Sequence, residues 1–181
     1  MRAFIGAVLA LALSTASSAG DWSAPARAEA PDGRVLMTCR SRLAGDFLVV
    51  ELEPADGWHV YAMDNEDRAK RALAGKMSLG VEQNTEVIVT GGLQPIGEWY
   101  QSEPLDFSQP ELRWYSYGFD DKSLLAARVR RGEEPWAEVT VRGQACDSSS
   151  CVSVEADMEL SLDGEAGAGF TPAGLVLVGK S

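Results

Sequence analysis

From Arg34 onward, apolar and polar positions alternate with a period of two, the repeat of strands that bury one face and wet the other. The sharpest case is Val152 to Leu162, where Val152, Val154, Ala156, Met158, Leu160 and Leu162 interleave with Ser153, Glu155, Asp157, Glu159 and Ser161. Ala137 to Arg142 sets Val139 and Val141 against Glu138, Thr140 and Arg142, and Phe47 to Leu52 places Leu48, Val50 and Leu52 on one face. Trp58 to Tyr61 follows a turn at Gly57, and Glu86 to Thr90 is stopped by Gly91-Gly92. Leu112 to Phe119 and Leu124 to Val129 read as a hairpin around Asp120-Asp121-Lys122. Seven to nine short strands punctuated by turns predict an all-β antiparallel domain, with a sandwich expected and a barrel sharing the same period. Asp64 to Lys76 breaks the pattern: charged and Ala-rich, it reads as a loop with one or two helical turns capped by Asp64 or Asn65.

The ends of the chain lack this period. Arg2, the apolar run Ala3 to Leu13 and the small residues ending in Ser17-Ser18-Ala19 follow the order of a secretory signal peptide. The run is too short for a bilayer, which takes roughly 20 residues. Residues 1–19 are therefore read as a signal, with cleavage after Ala19 or, in reserve, Ala28. Residues 20–33 read as a flexible lead-in, 34–163 as the folded domain, and 164–181 as a flexible tail. The expected location is the periplasm, with no membrane span in the mature chain. The 181 residues, 45% hydrophobic and 24% charged, suffice for one ordinary core. Formal charge is −11, and loss of Arg2 with the signal makes it −12. Such an acidic surface repels phosphate backbones, so no nucleic-acid partner is expected.

Chemistry concentrates at the cysteines. Cys146 and Cys151 enclose Asp147-Ser148-Ser149-Ser150 between two strands, and so close a hairpin tip. Such a tip suits a redox pair offered to a partner disulfide. It also suits a permanent bridge, although a loop of about six residues stabilises by only about 2 kcal/mol in the chain-entropy model. A metal site is the third possibility; the spacing is not C-x₂-C and the sole histidine, His59, is distant in sequence. No metal or other cofactor is expected. Cys39, among Val35, Leu36 and Met37, reads as a buried thiol acting as a small apolar residue.

Two motifs, Gly57-Trp58-His59-Val60-Tyr61 and Gly143-Gln144-Ala145-Cys146-Asp147-Ser148-Ser149-Ser150-Cys151, resemble the amino-terminal periplasmic domain of the thiol:disulfide interchange protein DsbD. Glu103-Pro104-Leu105-Asp106-Phe107 and Tyr117-Gly118-Phe119 fall where that family has a loop and the strand after it. The resemblance spans about Arg34 to Leu162. It implies an immunoglobulin-like sandwich whose cysteines sit on a hairpin, shielded by an aromatic cap loop. It also implies a protein-disulfide reductase type of thiol:disulfide oxidoreductase, needing no cofactor. Electrons would come from a thioredoxin-like periplasmic protein or domain. They would pass to disulfide-bearing periplasmic proteins such as disulfide isomerases or cytochrome c maturation factors.

By the same carry-over Cys151 forms the mixed disulfide, Cys146 resolves it, and Tyr61 lies near the active site. Phe107 with Asp106 beside it is the cap, Trp99 and Tyr100 being the alternative. The sequence departs from the family where Val152-Ser153-Val154 follows the second cysteine in place of the prolines of many members. The membrane-embedded and thioredoxin-like domains of full-length DsbD do not follow either, so this chain is not expected to move electrons across a membrane by itself. The alternative function is a non-catalytic interaction module on the same sandwich with a structural Cys146–Cys151 bridge. Among the remaining residues, Trp58 reads as core, His59 as a partly exposed surface residue, and Arg142 as a cation that could favour a thiolate at Cys146.

Overall fold

The computed structural model describes residues 20–80 and 83–179, and the signal reading of residues 1–19 falls outside them. The fold is an all-β antiparallel sandwich. In chain order its elements are β1 (Ala26–Glu29), β2 (Val35–Ala44), β3 (Phe47–Pro54), β4 (His59–Tyr61), α1 (Asn65–Leu73), β5 (Glu86–Gly91), β6 (Leu93–Gln101), β7 (Leu105–Asp106), β8 (Tyr117–Phe119), β9 (Ser123–Arg131), β10 (Trp136–Cys146), β11 (Cys151–Ser161) and β12 (Val176–Leu177). One sheet runs β1-β2-β3-β9-β6-β12; the other runs β11-β10-β4-β8-β7, with β5 also on β10.

The predicted alternation decides what lies between the sheets. Leu48, Val50 and Leu52 of β3 meet Val139 and Val141 of β10 and Val154, Ala156, Met158 and Leu160 of β11 in one buried cluster. Removing a side chain of this size from water contributes about 1.5–3 kcal/mol. Cys39 lies in the same cluster, and burial pushes its thiol up to about 12.

The strand Val152 to Leu162 is found as β11, paired along its whole length with β10. The proposed hairpin is corrected: only Tyr117–Phe119 is strand, and it joins β4 and β7, whereas Ser123–Arg131 joins the other sheet. Residues 120–122 thus cross between the sheets, and Pro110–Leu112 forms a 3₁₀ turn instead of strand. Helix α1 realises the expected break. Its buried face is Asn65, Arg68, Ala69 and Leu73, its first turn is acidic, its last turn is basic, and a left-handed Ala74 ends it.

Residues 20–33 and 164–179 both carry structure, contrary to the flexible reading of the lead-in and the tail. Ala26–Glu29 pairs with β2, Ala28 is buried, and Ser23 exchanges hydrogen bonds with Ser41. A chain starting after Ala28 would lose three of the four β1 residues. In the tail, Val176–Leu177 pairs with β6. The cause is a second apolar surface on the outer side of the first sheet: Phe47, Val49 and Ala126 are covered by Trp22, Tyr100, Phe170 and Leu175. The guanidinium carbons of Arg40 and Arg42 stand 4.6 and 4.7 Å from the centroid of the Trp22 ring. The signal was present in Phe47-Leu48-Val49-Val50, an unbroken apolar run that marks a strand buried on both faces.

One polar cluster ties the helix to the tail. The buried Asp64 carboxylate accepts hydrogen bonds from Arg68 Nε (2.9 Å), Gln101 Nε2 (2.6 Å) and the Gly179 N–H (3.0 Å). Burial would raise its pKa, but the bonds from Arg68, Gly179 and Gln101 outweigh that and hold it below the usual carboxylate value.

Candidate functional site

Cys146 ends β10 and Cys151 begins β11; they are directly opposite, joined by a disulfide, with Cα atoms 4.0 Å apart. On the other side of β10, Cys146 is opposite His59. Directly opposed residues project from the same face, so His59, Cys146 and Cys151 form a row across three strands. Tyr61, two residues from His59, shares that face, while Val60 and Ala145 point into the core. The row lies on the outer side of its sheet, yet Cys146 is only 1% exposed.

Residues 102–116 supply the cover. Leu105–Asp106 pairs with β8, the Phe107 N–H donates to Ser116 O (2.9 Å), and the Gln109 N–H donates to Trp114 O (2.7 Å). These bonds tie the segment into a short ladder. It is anchored at its far end by the Tyr117 N–H, which donates to Asn65 Oδ1 of α1 (2.7 Å). Phe107 is thereby laid flat on the His59 imidazole, ring centroids 4.2 Å apart and planes 10° from parallel. Asp106 faces solvent and its Oδ1 accepts the Ser108 N–H (2.9 Å).

The two sulfurs differ in access. Cys146 faces a narrow cleft of about 110 Å³ shared with His59, Phe107, Trp114 and the tip residues Asp147 to Ser150. Cys151, half-buried, borders an open pocket of about 380 Å³ shared with Leu79, Gly80, Trp114 and Gln144. Trp114 borders both, its buried indole N–H without a hydrogen-bond partner among the described residues, and any β-carbon at Gly80 would collide with its ring. Beneath the bridge, the fully buried Tyr61 hydroxyl is 3.3 Å from Cys146 Sγ and 3.6 Å from Cys151 Sγ. Disulfide sulfurs carry no proton, so the hydroxyl is the donor.

The tip is held by Asp147, whose Oδ1 accepts from the N–H and Oγ of both Ser149 and Ser150. These bonds lower its pKa, those from Ser149 first. His59 is shifted down chiefly by burial, with Asp120 and Asp147 pulling the other way.

Phe107 and Tyr61 thus come together at the cysteines, Asp106 faces solvent beside the cap, and Trp99 and Tyr100 lie elsewhere. Trp99 packs against the inter-sheet core and Tyr100 edges onto Phe47 at 6.4 Å on the far side of the other sheet. The cap alternative on those residues is therefore corrected: β6 lies in the wrong sheet to reach the tip. Arg142 shares the cysteine face but lies about 13 Å along the strand, and its guanidinium is paired with Glu155 at 2.7 Å. A larger cleft of about 420 Å³, bordered by Glu66, Glu86, Arg142 and Glu155, lies away from the sulfurs.

The sequence reading of His59 as a partly exposed surface residue agrees with its intermediate burial, but it did not bring the residue to the cysteines. His59 is half-buried under Phe107, and its missed signal was the register that sets it opposite Cys146. Among the described residues no group of three or more His, Cys, Asp or Glu side chains could hold a metal ion. No helix of the described residues is long and apolar enough to cross a membrane. No family model, curated protein or solved structure matches the chain.

Proposed function

We propose that this chain is a periplasmic thiol–disulfide exchange domain, a DsbD-like relay that passes reducing equivalents through Cys146 and Cys151. The observation that carries the reading is the unequal access of two bonded sulfurs above a buried hydroxyl: Cys151 reachable from an open pocket, Cys146 covered, and the one Tyr61 O–H within reach of both sulfurs and nearer to Cys146. A structural staple needs none of these, whereas exchange requires an attackable sulfur and a supported leaving group. The motif resemblance to the DsbD amino-terminal domain adds the direction of electron flow.

In the loading half-cycle, a thiolate of a thioredoxin-like donor attacks Cys151 Sγ. The Cys146–Cys151 bond breaks, its electron pair goes to Cys146 Sγ, and that sulfur takes up a proton. The donor's second thiolate then attacks its own sulfur in the mixed disulfide and frees Cys151, leaving the donor oxidised. In the delivering half-cycle, the Cys151 thiolate attacks an acceptor disulfide and releases one acceptor thiol. Cys146 then attacks Cys151 Sγ, re-forming the bridge and releasing the acceptor as a dithiol. Two electrons and two protons move in each half-cycle, with no organic cofactor.

Equilibration of residues 20–181 in glutathione buffers, with alkylation and mass readout, tests the reading. A potential between about −180 and −270 mV is expected of an exchange-active pair. A bridge still closed below about −300 mV overturns the relay and leaves a structurally bridged interaction module. Cys146→Ala should trap partners on Cys151 as reducible adducts; Cys151→Ala should trap far fewer.

A further inference from the structure

His59 occupies a position that the exchange chemistry does not itself require. Its register places it between Cys146 on β10 and, because Val60 pairs with Phe119, Asp120 at the end of β8. Phe107 closes it from above by face-to-face stacking, and Tyr61 is 5.9 Å to the side. The backbone ladder of residues 105–117 fixes where the cap stands, and the imidazole is the surface on which its ring rests.

The charged groups facing His59 are both acidic: Asp120 from the β8 end and Asp147 from the hairpin tip. Asp106, beside the cap, faces solvent and is engaged with the Ser108 N–H, and the bonded cysteines do not titrate. Burial nevertheless dominates, so the stacked ring holds a proton less firmly than a free imidazole.

On the exchange reading above, we propose that His59 is a positioning residue that keeps the Phe107 cap closed over Cys146 while its imidazole is neutral and releases the cap on protonation. An imidazolium demands water, and the stacked phenyl ring stands where that water must come. Lifting Phe107 hydrates the cation and leaves Asp120 and Asp147 as its counter-charges. The sign follows from linkage: a base that is harder to protonate in the closed state stabilises closure fully above the ordinary imidazole value of about 6.5 and progressively less as pH falls. The cleft over the resolving sulfur therefore opens in mild acid.

Proton NMR titration of the single histidine tests this in the oxidised protein. In the closed state the phenyl ring displaces the imidazole resonances upfield relative to Phe107→Ala. That displacement is expected at pH 8 and should vanish as the ring is protonated, the two spectra converging. The midpoint in Phe107→Ala should also lie higher, by a factor of about three or more in proton affinity, because the coupling between proton and cap is reciprocal. Should Phe107→Ala fold poorly, Phe107→Leu fills the space without a ring current. A displacement that persists in the protonated protein, or equal midpoints, overturns the proposal. Neither readout depends on a redox partner, so the reduction-potential measurement separates failure of this proposal from failure of the exchange reading.

Discussion

Tyr61→Phe deletes one oxygen and leaves the packed ring in place, which makes it a narrow test of how the site supports a leaving sulfur. In the oxidised protein the single O–H donates to the nearer sulfur, Cys146 Sγ at 3.3 Å, with Cys151 Sγ at 3.6 Å, and a neutral sulfur is a weak acceptor. Once a partner attacks Cys151, negative charge develops on Cys146, which is 1% exposed and has little water to stabilise it. The same hydrogen bond then becomes charge-assisted, worth about 1.5–3 kcal/mol against about 1 kcal/mol or less before attack. The difference, about 1–2 kcal/mol, is one selective for the transition state. At about 1.4 kcal/mol per tenfold, reduction should slow by about 5- to 30-fold. Stopped-flow reduction by dithiothreitol at pH 7, read by quenched alkylation, measures it. A Tyr61→Phe rate within twofold of wild type would refute the argument and mean that the buried sulfur is stabilised by something other than the hydroxyl.

Asp64→Ala removes a buried carboxylate that holds Arg68, Gln101 and the Gly179 N–H, so denaturant titration should show a loss of about 3–5 kcal/mol. Because Asp64 is held below the usual carboxylate value, its contribution is present above about pH 4 and fades as pH falls through the lowered value; acid unfolding of Asp64→Asn should lack that component. Cys39, pushed up to about 12, should resist iodoacetamide at pH 8 in the folded protein and react once it is unfolded in urea, as peptide mapping will show. Asp147→Ala should speed hydrogen exchange at the Ser149 and Ser150 amides, which donate to its carboxylate, while leaving exchange in the middle of β11 unchanged. Gly118→Ala would drive a β-carbon into the Val60 carbonyl and separate β8 from β4, so its far-ultraviolet spectrum and thermal midpoint should both change.

The strands that face the core were legible in the sequence because alternation reports which side is wet. Val152 to Leu162 is the clearest example, and its hairpin with β10 placed the cysteines at a tip correctly. What alternation does not report is which sheet a strand joins. Tyr117–Phe119 and Ser123–Arg131 are neighbours in sequence and belong to different sheets, because three polar residues suffice to cross the sandwich as well as to turn a hairpin. Alternation likewise put His59 on an outer face, partly exposed as it is, but did not show that residues 102–116 fold across that face and lay Phe107 on its ring. Trp99 and Tyr100 were ambiguous for the reverse reason, since an aromatic pair reads alike whether it covers a site or a core. The tail was missed because Phe170 stands alone among small residues and Leu175 to Val178 is a run of only four apolar residues, and their value lies in what they cover.

The sheet bounded by β1 and β12 has a consequence for how copies of this protein meet each other. A long, flat outer strand offers its unpaired amides and carbonyls to the next molecule and seeds edge-to-edge growth. The ten-residue β2 is denied that role by β1, and β12 covers Tyr100 and Gln101 of β6. The remaining stretch of β6 is spoiled as a template by other means: Pro95 offers no amide, and Gly97, at a φ of +76°, sits in the irregularity between Ile96 and Trp99 that twists the strand out of line. The segments at the two ends, which hold no chemistry, thus act as guards against self-association. Trimming them would bare those edges and the apolar face at Phe47 and Val49, and leave a protein far more prone to polymerise.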